Sequence, residues 1–198
     1  MNRIRRRNSS VTKDDILAAC LVELNLNGYT NSSIDQIALR AGVSKMSIYY
    51  HFPSKESLFT ETIVNLLHDF RNVLSNEISK FSNHREAFSH ISGIIWDHFF
   101  SLGQSFYSLL DQLRSIDSQL RDQIAVEIRL YADIVKSRIH AARVDGEIEF
   151  ENDSILTHMF IGTIGSTIQW YDPAGAVSSD KFREMIRSRA ILILGLSA

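Results

Sequence analysis

Apolar residues recur along this chain at three- and four-residue spacing, and no useful stretch alternates as a strand would. Ile16, Leu17, Cys20, Leu21 and Leu24 fall on one face of a first helix predicted over 12–27. Thr12 suits its N-cap, Asp14 and Asp15 complement the helix dipole, and Gly28 supplies an end where a left-handed residue is favoured. Ser33-Ile34-Asp35-Gln36 has the capping-box pattern and opens a short helix to Arg40. Ala41-Gly42-Val43 breaks it, Ser44 caps a third helix over 45–51, and Pro53 stops that one. Ser54 caps a long fourth helix toward Phe81, with Ile63, Leu66, Leu67, Phe70 and Leu74 along one side. Further helices are predicted at 84–101, 105–115, 118–143, 153–171 and 179–195. Their breaks lie at Asn83-His84, Gly103, Asp145-Gly146 and Asp172-Pro173-Ala174-Gly175. The expected fold is all-α, about nine helices, with a three-helix head over 11–58 and a helical body over 59–198.

Composition narrows this picture. Of 198 residues 44% are apolar, enough for a sizeable core, and the two prolines permit long helices. No apolar run approaches the roughly 20 residues of a membrane span, and the basic N-terminus is not followed by the apolar stretch of a secretion signal. A single cysteine, Cys20, sits on the apolar face of the first helix, which suits a core residue in a reducing, cytoplasmic setting. The net charge of −2 divides unevenly: residues 1–60 carry +3 and residues 61–198 carry −5. Any contact with nucleic acid is therefore expected at the head.

A helix-turn-helix leaves a readable spacing in a sequence. Ala38 provides the small residue where two helices cross. Gly42, four residues on, provides a turn tolerant of positive φ. Ile48, six further, anchors the second helix, and Ile34, Ile37 and Val43 complete the apolar set. Ile48 and Phe52 are expected in the core.

The surrounding residues sharpen the assignment. Gly28-Tyr29-Thr30, Ser33 to Ala38, Arg40 to Lys45, and Ile48-Tyr49-Tyr50-His51-Phe52-Pro53-Ser54-Lys55-Glu56-Ser57-Leu58-Phe59 together resemble the N-terminal domain of the TetR family of regulators, over about residues 11–59. The resemblance implies a palindromic double-stranded operator as partner. It places Ser33 on a phosphate; Ser44, Lys45, Met46, Ser47 and Tyr50 in the major groove; and Tyr49 and His51 on phosphates. Lys55 would meet a phosphate at the start of the fourth helix. Met46 stands where the family often has glycine, and Ser47 where it often has threonine, so the operator sequence is not carried over. The arm bearing Arg3, Arg5, Arg6 and Arg7 reads most simply as a solvated tail.

The body offers two further expectations. The segment from Asp153 to Trp170 is apolar or small nearly all round, so both of its sides need cover. With the last helix it resembles the family's homodimer interface, placing Gly162, Gly165, Ser166, Phe182, Ile186 and Ile193 against a second copy. Residues 88–135 are rich in aromatics, which suits a small-molecule pocket. Trp96, Phe99, Phe100, Phe106, Tyr107, Leu110, Tyr131 and His158 are the expected lining, with His98, Gln112, Asp97 and Arg114 as further polar groups. Asp145-Gly146-Glu147-Ile148 and Trp170-Tyr171-Asp172-Pro173 resemble stretches of relatives that sense bulky apolar effectors, acyl-CoA thioesters among them.

An enzyme needs a constellation that is missing here. There is no Gly-rich phosphate loop, no Gly-x-Ser-x-Gly elbow and no Cys-x-x-Cys. The seven histidines form no His-Glu-x-x-His pair, so neither a metal nor another cofactor is expected. The expected function is a ligand-responsive repressor released from its operator by a small apolar or aromatic effector. The alternative is a DNA-binding adaptor whose body binds a protein and no small ligand.

Overall fold

The computed structural model describes residues 12–112 and 118–196, with the side chains of all of these except 103–112 and 119–120. The chain forms α1 (Lys13–Asn31), α2 (Ile34–Ala41), α3 (Lys45–His51), α4 (Lys55–Ile78), α5 (His84–Gln112), α6 (Ser118–Val144), α7 (Asp153–Ser166) and α8 (Ser179–Arg189). Short 3-10 turns, Thr167–Gln169 and Ala190–Leu194, extend the last two.

Local chemistry accounts for the helix starts. Thr12 and Asp15, Ser33 and Gln36, and Ser54 and Ser57 form reciprocal capping boxes at α1, α2 and α4. Ser44 accepts from the Ser47 amide at the start of α3, and Asn152 accepts from the Ile155 amide at α7. Gly28 kinks α1 near its end at φ 69°, a conformation that a Cβ would strain.

Several expected boundaries move, among them the end of α1, which runs past Gly28 to Asn31. Gly103 does not break the chain: α5 continues through it as one helix to Gln112. A lone glycine costs a helix only about 1 kcal/mol relative to alanine, too little to end one whose flanks favour it. The two helices expected over 84–115 are therefore one, and the described residues hold eight α-helices. α4 ends at Ile78 rather than Phe81, closed by Ser79.

The core is continuous from head to body. Ile16, Cys20, Ile37, Ile48 and Phe52 join Leu58, Phe59 and Ile63 of α4, and the same helix reaches Leu67, Phe70 and Leu74 in the body. Burial pushes the Cys20 thiol up to about 12, so it is an unreactive packing group. α4 lies along α6, α5 along α8, and α1 against α4 and α5. One helix, α4, thus begins under the head and ends deep in the body.

Candidate nucleic-acid interface and interior clusters

The helix-turn-helix forms as its spacing requires. Ala38 is buried where α2 crosses α1, and Gly42 closes α2 in the left-handed region at φ 70°. The Val43 amide donates to the Ala38 carbonyl at 3.0 Å, which fixes the turn. Glu23, buried on α1, accepts from Arg40 of α2 at 2.9 Å and from Asn27, so the crossing is tied by a charged pair as well as by packing.

With Ile48 and Phe52 sealed inside, the rest of α3 turns outward. Met46 is 77% and Tyr50 86% exposed, and Lys45, Tyr49 and His51 are exposed with them. Gly42, Val43, Ser44, Met46, Ser47, Tyr50 and His51 line one open groove. Large apolar side chains this open, on a helix this short, suit contact with a partner surface. The hydroxyls of Ser44 and Ser47 lie 2.8 Å apart, and Ser33 is occupied by its cap with Gln36. Lys45 donates to Asp35 of α2 at 2.8 Å. Leu39 stands one turn after Asp35 on α2 and is 84% exposed. Sequence reading passed over Leu39, although its place off the Ile34, Ile37, Ala38 stripe was visible there.

Lys55 stands apart from the other expected contacts. It is half-buried, its amine donates to the Tyr29 carbonyl at 2.7 Å, and it lies 4.5 Å above the Tyr29 ring. Desolvation lowers its pKa. The amine therefore braces the end of α1 against the start of α4, and only its remaining N–H groups are left for a phosphate.

The aromatics of α5 separate into two clusters instead of lining one pocket. Trp96 stacks on Phe100 at 4.7 Å, and both meet Tyr171, which stacks on Phe182 of α8 at 4.2 Å. That side is filled aromatic packing between α5 and α8. On the α4-facing side, His98 stacks on Phe70 at 3.7 Å, and Phe70 meets Tyr131 of α6 edge-on at 5.7 Å. Phe99 is buried beside His98. The side chains of Phe106, Tyr107, Leu110 and Gln112 lie outside the described ones, and Arg114 outside the described residues. Asp97 points away from the interior to pair with Arg183 at 2.7 Å. His158 needs correction as a lining residue: it is exposed on the outer side of α7 and bonds the Ser154 carbonyl at 2.7 Å.

α7 has two unlike sides. Leu156, Phe160, Ile161, Ile164 and Gly165 face the chain's own core, whereas Ile155, Met159, Gly162 and Ser166 are exposed. A Cβ at Gly162 would meet nothing within 4 Å. On α8 and its extension, Phe182 is buried under Trp96 and Tyr171, Ile186 and Ile193 are half-buried, and Met185 and Leu192 are exposed. Of the residues expected against a second copy, Gly162, Ser166, Ile186 and Ile193 remain accessible. Gly165 and Phe182 are used internally.

The chain matches two family descriptions. Residues 16–62 match the bacterial regulatory proteins of the tetR family, and residues 97–193 match the tetracyclin repressor-like C-terminal domain. The chain belongs to the TetR family. Among its TetR-family relatives, the HTH-type transcriptional repressor NicS of Pseudomonas putida is 27% identical over 48% of this chain and 45% of its own length. The fatty acid metabolism regulator protein of Bacillus subtilis is 24% identical over 92% of both chains. The crystal structure of the transcriptional regulator FadR from Bacillus subtilis in complex with stearoyl-CoA has the same fold, with a TM-score of 0.76 at 19% identity, covering 94% of this chain and all of that one.

As a TetR-family chain this protein is a DNA-binding transcription regulator. Among the described residues no three potential metal ligands gather, and no helix is long and apolar enough to cross a membrane.

Proposed function

We propose that this protein is a repressor held on a palindromic operator as a dimer and released by a long-chain acyl-CoA thioester. The observation that carries the reading is α4. One continuous helix bears Lys55, Leu58 and Phe59 under the head and Leu67, Phe70 and Leu74 in the body, where it packs on α5 and α6. A ligand that displaced its body half would shift the head. A two-fold dimer must present its two recognition helices about one DNA turn, roughly 34–36 Å, apart, so a small swing of α4 would spoil the fit. The effector class is supported by a relative that spans 92% of both chains and whose name concerns fatty acid metabolism, and by a fold neighbour solved with stearoyl-CoA. The aromatic, largely uncharged interior between α4, α5 and α6 suits an acyl chain.

The test is operator affinity with and without stearoyl-CoA, and then with shorter acyl-CoAs. Stearoyl-CoA is expected to raise the melting temperature and to weaken operator binding by a factor of about 5–150. Operator DNA must weaken stearoyl-CoA binding by that same factor. A bound acyl-CoA that leaves operator affinity untouched would falsify the switch.

A further inference from the structure

Buried polar atoms without a partner are rare in folded proteins, and each needs a reason. His98 Nε2 is one: it is shut off from solvent and bonded to nothing. The ring lies nearly parallel to Phe70 of α4, at 12° and a 3.7 Å centroid distance. A phenylalanine would stack there equally well and strand no nitrogen, so packing alone does not explain the histidine. Burial holds its pKa down at about 4, which leaves a neutral imidazole with one N–H and one lone pair. On the same side of α6 as Tyr131, one turn earlier, Glu127 Oε2 makes no hydrogen bond and is ion-paired with Arg71 at 3.6 Å. Arg71 follows Phe70 directly. His98 thus leaves unused polar capacity where α5 meets α4, beside Phe70 and Phe99.

We propose that His98 Nε2, carrying the ring proton, donates a hydrogen bond to the thioester carbonyl of the effector, and that its stack on Phe70 passes the resulting displacement to α4. This assignment rests on the acyl-CoA reading above. It gives the site a polar anchor of defined chemistry: an acyl carbonyl at the end of an apolar chain, since the cation nearby, Arg71, is already paired with Glu127. It also gives the coupling a physical route. At 3.7 Å two parallel rings are in van der Waals contact, so His98 cannot turn toward a ligand without Phe70 moving or the stack opening.

The experiment uses the full chain, its operator and stearoyl-CoA, comparing wild type with His98→Phe, His98→Gln and Phe70→Leu. His98→Phe is expected to melt higher than wild type, because a stranded nitrogen is removed. It should bind operator as wild type does and lose stearoyl-CoA affinity on the order of tenfold, the worth of one good buried hydrogen bond. His98→Gln, whose amide can donate, should recover part of that loss. Phe70→Leu, which opens the stack on His98, should show a smaller drop in operator affinity when saturated with stearoyl-CoA. The proposal is overturned if His98→Phe binds stearoyl-CoA and releases operator like wild type. It is equally overturned if His98→Gln does no better than His98→Phe, since the ring's shape would then matter and its nitrogen would not. A wild type that stearoyl-CoA neither stabilises nor releases removes the acyl-CoA reading itself, and this assignment with it.

Discussion

The head and the body put their functional side chains in opposite places. In the head, Ile48 and Phe52 hold α3 from within, and the side chains expected to meet DNA, Met46, Tyr49 and Tyr50 among them, stand in solvent. In the body, Phe70, Phe99 and Tyr131 are buried, so a ligand among them would have to open existing packing. The difference teaches what each region can tolerate. A surface site can exchange its contacts without disturbing its scaffold, whereas an interior site cannot bind without moving a helix. That is why the interior is suited to be the sensor.

The largest break in this comparison is expected from the outer side of α7. Gly162→Arg places a long cation where the protomer has open space, so the single chain should keep its helicity. The same arginine would obstruct a second copy. Sedimentation should show monomers, circular dichroism an unchanged helix content, and operator affinity a fall of at least about a hundredfold as the two half-sites cease to act together. A Gly162→Arg protein that still sediments as a dimer places the interface elsewhere.

A smaller effect separates scaffold from contact inside the head. Ile48→Ala removes a fully buried anchor and should cost about 2–5 kcal/mol in unfolding free energy. Tyr50→Ala, only two residues away, should leave stability within about 0.5 kcal/mol and weaken operator binding by about 1–3 kcal/mol. Denaturant melts read beside DNA titrations give both numbers. Equal stability losses in the two variants would erase the distinction between them.

The two regions also differ in how far the sequence discloses them. Head signals are local. A capping box spans four residues, as at Ser33 to Gln36, and the crossing, turn and anchor at Ala38, Gly42 and Ile48 span eleven. Such constraints survive in the order of residues. The body's arrangement is nonlocal. Trp96, Phe99 and Phe100 stand at i, i+3 and i+4, which periodicity puts on one side of α5 without naming the helices that side meets. Only packing shows that Trp96 and Phe100 go to Tyr171 and Phe182, and that His98 goes to Phe70. The all-round apolar α7 was legible as a helix whose two sides both need cover, but the assignment of Gly165 inward and Gly162 outward was not. His158 was misplaced for the same reason: position along an apolar helix does not fix direction.

Lys55 joins the two regions, and the smallest effect expected here concerns it. Its amine is occupied by the Tyr29 carbonyl and the faces of Tyr29 and Phe59, so part of its role is to brace α1 on α4. It also stands at the N-terminus of a 24-residue helix, where unpaired amides favour an anion. Lys55→Met keeps the stem over Tyr29 and removes only the charge. Losing the brace should cost on the order of 1 kcal/mol, from one hydrogen bond and a half-buried cation–π contact. Losing a phosphate contact should lower the slope of log affinity against log salt by about 0.9, at every DNA sequence alike. We expect both, because the ammonium keeps N–H groups beyond the one given to Tyr29. The two losses are independent readouts: a melting curve measures the first without DNA, and a salt titration measures the second without reference to stability. A lower melting temperature with an unchanged salt slope would leave Lys55 a strut and would move the first phosphate contact of α4 to another residue.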